Sequence, residues 1–157
     1  MKLGQAQEDA YEQRVTEAEV RVDSVVTGKI GKGLLVLFGA EENDTDEDLA
    51  YVVKKCVNLR IFCDENDKMN LSVKDIDGEI LAVSQFTLLA QIKQGNRPGF
   101  TMAMEPAKAE KMYEKFCALC AENLGKETKK GVFGADMKVS LVNDGPVTII
   151  IDSRNKI

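Results

Sequence analysis

The chain has 157 residues, of which 44% are hydrophobic and 30% charged, enough for one domain with a proper core, too apolar for disorder, and without an apolar run long enough to span a bilayer. A formal net charge of −5 argues against a protein that coats nucleic acid through a broad positive field, but leaves room for a local grip on one RNA end. The chain contains no histidine, which excludes Ser-His-Asp and Cys-His nucleophile chemistry, the HExxH zinc motif and imidazole proton shuttling.

Residues 1–12 form a polar leader carrying Glu8, Asp9 and Glu12, with neither a secretory nor a mitochondrial targeting pattern, so a cytoplasmic protein is expected. The domain is expected over 13–157. Val15, Ala18, Val20 and Val22, followed by Val25, Val26 and Ile30, predict a hairpin, and the run Gly33–Phe38 predicts a strand covered on both faces. The cluster Asn43–Asp48 precedes the helical stripe Leu49, Val52, Val53 and Cys56, and reads as a helix cap; an EF-hand would need a central glycine and a closing glutamate. Asn58–Phe62 reads as a short strand, Asp64–Lys68 as a turn and Glu79–Phe86 as a strand. Gln91–Phe100, with Gly95, Arg97, Pro98 and Gly99, is a long polar loop.

Pro106 suits the first turn of a helix running to about Asn123, with Ala109, Met112, Tyr113, Phe116, Cys117 and Cys120 inward. The Cys117/Cys120 pair lies deep in that helix and reads as core; with no signal peptide, all four cysteines are expected as reduced thiols. Gly125 suits a helix end, and Lys126, Lys129 and Lys130 then make a basic patch, either solvated or aimed at phosphate. Val132–Val142 and Val147–Ile151 read as two apolar runs divided by Asn143-Asp144-Gly145-Pro146. The expected class is therefore a mixed, β-rich α/β domain with two main helices on a sheet.

Two segments stand out: Ser84-Gln85-Phe86-Thr87-Leu88 at a strand end, and Asn143-Asp144-Gly145-Pro146-Val147-Thr148 near the C-terminus. Taken alone, Ser84 and Thr87 read as strand hydroxyls, Phe86 as core and Gly145-Pro146 as a turn. Together they resemble the two signatures of the D-aminoacyl-tRNA deacylase family, in company with Gln13-Arg14-Val15, Gly33–Gly39, Asn58–Phe62, Met69–Ser72, Arg97-Pro98 with Phe100, and Phe133–Met137. The resemblance spans about Gln13 to Asp152. Glu12 departs from it, standing at a strand position that the family fills with an apolar residue, and Gly99 replaces a usual polar residue.

That resemblance implies a layered α/β/β domain forming a homodimer with the active site at the interface, where a cis Gly145-Pro146 peptide reaches the partner's pocket. It assigns Ser84, Gln85, Phe86 and Thr87 to catalysis, and Asn143, Gly145, Pro146, Val147, Met137 and Phe133 to the substrate. Lys93, Arg97, Lys129 and Lys130 become candidates for tRNA phosphates. The implied activity is hydrolysis of D-aminoacyl and glycyl esters at the 3′ end of tRNA, with L-aminoacyl esters rejected and the terminal 2′-hydroxyl assisting. No cofactor or metal is expected. A non-catalytic RNA-end or DNA-associated binding protein of the same fold is the alternative.

Overall fold

A computed structural model of the chain describes residues 10–156. Strand β1 (Ala10–Val22) is its organising element. Along one edge it pairs antiparallel with β3 (Gly33–Phe38) through Ala10–Val15 and with β2 (Val25–Ile30) through Ala18–Val22. Its other edge carries β8 (Lys138–Ile151) over most of its length. The strand thus includes Ala10-Tyr11-Glu12 from the expected leader, and the rest of that leader, residues 1–9, lies outside the described residues. The hairpin turn Asp23-Ser24 has φ values of 49° and 67°, the pair of left-handed residues that matches the twist of two adjoining strands.

Beyond β3, the sheet continues in parallel through β6 (Glu79–Ser84) to the short β7 (Lys129–Lys130). Gly33 begins β3 so close to β6 that an added Cβ would stand 1.9 Å from the Glu79 carbonyl oxygen, so no side chain fits there. Strand β2 comes back alongside β6 and β7, and the six-stranded sheet is nearly closed into a barrel. Inside the curl Val15, Val20, Ile30, Leu35, Leu81 and Val83 form one core. On the opposite face α1 (Asp46–Asn58) and α2 (Pro106–Leu124) pack together and close a larger core with Leu34, Val36, Phe38, Ile80 and Ala82. Among the described residues, no helix is long and apolar enough to cross a membrane.

Helix α1 starts where the acidic cluster predicts. Thr45 is its N-cap, accepting from the Asp48 N–H while the Asp48 carboxylate accepts from the Thr45 N–H at 2.9 Å. Thr45→Ala should remove half of this reciprocal cap and lower stability by about 1 kcal/mol, a shift measurable in urea unfolding. The same helix accounts for one difference from expectation. Asn58 is its last residue, and only Phe62-Cys63 (β4) forms strand, paired with Met69–Leu71 (β5). Helix α2 begins at Pro106 and ends at Gly125, whose φ of 77° supplies the left-handed cap, and Cys117 and Cys120 are buried in it. Burial pushes the Cys117 thiol up to about 12, the behaviour of a packing residue and not of a reactive one.

A second difference concerns the C-terminal third. Asn143-Asp144-Gly145-Pro146 does not divide two strands; β8 runs through it as one element. Against β1 the register steps from Val15 opposite Asn143 to Gln13 opposite Thr148, so the intervening residues of β8 bulge out of the ladder. Val132–Met137 is likewise not strand but a turn-containing segment crossing the end of the sheet.

Candidate active site

Strands β3 and β6 run parallel, so their carboxyl ends lie side by side, with Phe38 opposite Ser84. In open parallel sheets ligands collect outside such ends. Here the ends open into a cavity of about 620 Å³. Its floor is Phe38, Val83 and Ser84; Gly39 and Ala40 with Ala103 and Met104 make one wall, and Pro106, Ala109 and Tyr113 of α2 another. Phe133–Met137 closes the remaining side. The Tyr113 hydroxyl donates to the Ala82 carbonyl at 2.9 Å, which leaves the ring as an apolar surface, and burial pushes its ionisation well up.

The chain leaves the sheet at Ser84. The Gln85 N–H donates to the Phe38 carbonyl at 2.7 Å, and Phe86–Leu89 then forms a single 3₁₀ turn anchored by the buried Leu89. The expected strand over Glu79–Phe86 therefore stops two residues early, and the signature segment is a turn at the cavity mouth. Phe86 is exposed rather than core, and its ring meets Phe100 edge to face at 5.0 Å. The Gln85 side-chain amide donates to the Thr87 hydroxyl, and Thr87 itself does not line the cavity. The opening N–H groups of a helical turn have no partner within it, so those of Phe86 and Thr87 are the donors such a turn offers a ligand.

Of the residues expected to contact substrate, Ser84, Gln85, Phe86, Phe133 and Met137 line this cavity. Asn143, Gly145, Pro146 and Val147 do not. Asn143 is the last paired residue before the bulge of β8, and the other three lie in it, where the Gly145-Pro146 peptide is cis and both residues are exposed. The bulge is held from below by Arg14 of β1, a buried side chain whose Nε donates to the Asp144 carbonyl at 2.8 Å and whose Nη1 donates to the Ile61 carbonyl at 2.7 Å. An added Cβ on Gly145 would stand 2.9 Å from Arg14 Nη2.

The four basic candidates divide in two. Lys93 and Arg97 are exposed in the 91–100 loop, which the Gln91 and Gly99 backbones close on each other. Lys129 and Lys130 lie in β7 and are engaged by Glu127 at 3.0 Å and Glu114 at 2.7 Å, and Glu114 raises the Lys130 ammonium above its ordinary value. Among the described residues, no three His, Cys, Asp or Glu side chains gather as a metal site.

Sequence reasoning assigned no role to Phe38, Tyr113 or Arg14. The first two read as ordinary core positions. Arg14 carried a signal, a charged side chain in a strand whose neighbours point inward, but its partners lie 47 and 130 residues away.

The fold and site together describe a small β-rich α/β protein with an apolar-walled cavity at the carboxyl ends of a parallel strand pair. The family model described as D-Tyr-tRNA(Tyr) deacylase matches residues 12–152. D-aminoacyl-tRNA deacylases of Flavobacterium psychrophilum and Parabacteroides distasonis are each 56% identical over 92% of this chain and 96% of their own. A solved structure of a c-Myc DNA unwinding element binding protein superposes with a TM-score of 0.87 at 43% identity, covering 91% of this chain and 97% of that one. A probable eukaryotic D-amino acid tRNA deacylase superposes at 0.79 with 18% identity over the same shares, a likeness of fold. The chain belongs to the D-Tyr-tRNA(Tyr) deacylase family.

Proposed function

We propose that the pocket at the ends of β3 and β6 receives the aminoacylated 3′ end of tRNA and that the chain hydrolyses the ester linking a D-amino acid to it. Family membership over nearly the whole chain supports the activity. The observation that supports the site is the Ser84–Thr87 turn, which brings helix-opening N–H groups to the cavity mouth, where they can hold an ester carbonyl and its developing oxyanion.

The second signature lies outside the pocket of its own chain, and this supports a homodimer in which each copy lends its Gly145-Pro146 bulge to the other. Strand β8 is a long edge with Val142 and Ile150 exposed at 49% and 46%, the kind of edge that proteins cover or blunt. A rigid backbone wall there would exclude an L side chain by clash whatever its chemistry, while glycine escapes. Glycyl esters are accordingly expected as substrates, and L-aminoacyl esters are not. In the layered description, the helices, the sheet and the sheet's curled continuation are the α, β and β layers.

Thr87 engages the Gln85 amide and its motif supplies no base beside it, which favours attack assisted by the terminal 2′-hydroxyl of the RNA over a threonine nucleophile. Orientation alone can contribute an effective molarity on the order of 10⁵ M. Lys93 and Arg97, exposed on the loop beside Phe100, are better placed for acceptor-stem phosphates than Lys129 and Lys130, which are already paired. No metal or cofactor enters this reading, and a cytoplasmic location is consistent with a tRNA substrate.

The test is hydrolysis of matched D-Tyr-tRNA, L-Tyr-tRNA and Gly-tRNA by wild type and Thr87→Ala. The D-tyrosyl and glycyl esters should be cleaved with the L ester spared, and Thr87→Ala should keep most of its activity. A DNA-associated binding role, favoured only by the name of the 43%-identical structure, would be supported if none of the three is cleaved.

A further inference from the structure

The residues after β8 make a compact strap. The Asp152 carboxylate accepts from the Arg154 and Asn155 N–H groups, each at 2.8 Å, and the Lys156 ammonium sits over the Tyr51 ring of α1 at 4.5 Å from its centroid. Between these anchors the Arg154 guanidinium reaches into the loop joining β3 to α1. Its Nη1 meets the Glu41 carboxylate at 2.8 Å and its Nη2 the Asp44 carboxylate at 2.8 Å. The two carboxylates are only 3% and 4% exposed, while the guanidinium is 30% exposed. Asp44 uses its other oxygen to accept from the Glu41 N–H at 2.6 Å, so the cation holds a loop that is folded on itself.

That loop is a structural part of the pocket. Gly39 and Ala40, immediately before Glu41, line the cavity. Their backbone is joined to the opposite stretch of the same wall: the Met104 N–H donates to the Ala40 carbonyl at 2.9 Å, the Glu42 N–H to the Met102 carbonyl at 3.2 Å, and Glu41 bridges to Ala103. Neither Ser84 nor the 3₁₀ turn is among the residues Arg154 touches.

We propose that Arg154 is a positioning residue for substrate binding: by clamping Glu41 and Asp44 it sets the place of the Gly39–Ala40 and Ala103–Met104 wall, and it ties that wall to the strand that carries Gly145-Pro146. The proposal rests on the reading of this cavity as the substrate site. One guanidinium that meets two carboxylates through separate nitrogens is an arrangement that lysine cannot reproduce, and removing it takes that fork from both at once. The wall then moves while the Ser84–Thr87 turn stays in place, so binding weakens more than turnover.

The experiment compares wild type, Arg154→Ala, Arg154→Lys and the cavity-filling Ala109→Phe in steady-state hydrolysis of D-Tyr-tRNA, well below each variant's Tm. Arg154→Ala should raise KM about tenfold, on the scale expected for a modest misplacement of a binding surface, with kcat changed much less. Arg154→Lys should fall between the two. Ala109→Phe should raise KM whatever Arg154 does. If Arg154→Ala lowers Tm yet keeps the wild-type KM while Ala109→Phe raises it, the residue is only a stability clamp and the inference fails alone. If Ala109→Phe also leaves KM unchanged, the cavity is not the substrate site and both readings fall.

Discussion

Glu12→Leu should stabilise this protein at pH 7 by on the order of 3 kcal/mol, because the wild-type chain buries a carboxyl group with nothing to hold its charge. Glu12 is completely buried in β1, opposite Val36 of β3 and Ile149 of β8, on the face covered by the helices. Among the described residues neither of its oxygens has a hydrogen-bond partner. The titratable groups nearest to it are thiols, Cys56 of α1 and Cys120 of α2, with no cation among them. Burial pushes the carboxyl up to about 8 from an ordinary 4.5, outweighing the opposing influence of the Cys56 thiol, which is too poorly placed for a proper hydrogen bond. In the unfolded chain Glu12 loses its proton near 4.5, in the folded chain near 8. The unfolded state therefore binds fewer protons between these values, and stability falls as pH rises through that window. Below it the cost of the charge vanishes; above it that cost levels off. Thermal unfolding from pH 5 to 9 should show this decline in wild type and a flatter profile in Glu12→Leu. Equal slopes in the two proteins would mean that Glu12 is not buried as a neutral acid.

Glu12 also shows where sequence reasoning meets its limit. Its departure from an apolar strand position was legible only through the family resemblance, since by composition it belonged to the polar leader. Burial was not, since it depends on α1 and α2 closing over β1. The same division runs through the chain. Thr45 with Asp48 and Gly125 act within a turn of their own position, and each sits where its chemistry predicts. The strand expected over Asn58–Phe62 was lost because the apolar stripe of α1 continues through Val57 and overrides a short β-prone run. Asn143–Pro146 has every mark of a chain reversal, yet β1 pairs on both sides of it and Arg14 anchors its base, so the break becomes a bulge. For the site, the Ser84–Thr87 and Phe133–Met137 segments were legible through family resemblance. The walls from Phe38 and Tyr113 were not, because nothing local separates a pocket-facing aromatic from a core one.

Arg14→Ala should reduce D-Tyr-tRNA hydrolysis by about a hundredfold and lower stability by on the order of 3 kcal/mol, the effects of removing a buried guanidinium from two carbonyl acceptors. The guanidinium ties the Asp144 and Ile61 carbonyls to one side chain, and its Nε also stands 3.5 Å from the Asp144 carboxylate. With it gone, the Ile61 acceptor is left buried, and the bulge loses the group that Gly145 rests against. In the proposed dimer the bulge meets a second copy's pocket in one orientation, and without its anchor it is free to adopt others, so the loss falls on activity as well as on folding. Arg14→Lys separates the two effects. Its ammonium can satisfy the Ile61 carbonyl, restoring part of the stability, but it lacks the planar fork that reaches Asp144 at the same time, so hydrolysis should stay depressed. Turnover measured where both variants are fully folded, beside urea unfolding of each, checks this ordering. Wild-type hydrolysis by a folded Arg14→Ala would show that the Gly145-Pro146 bulge needs no anchor, and would remove the case for its rigid role in excluding L-amino acids.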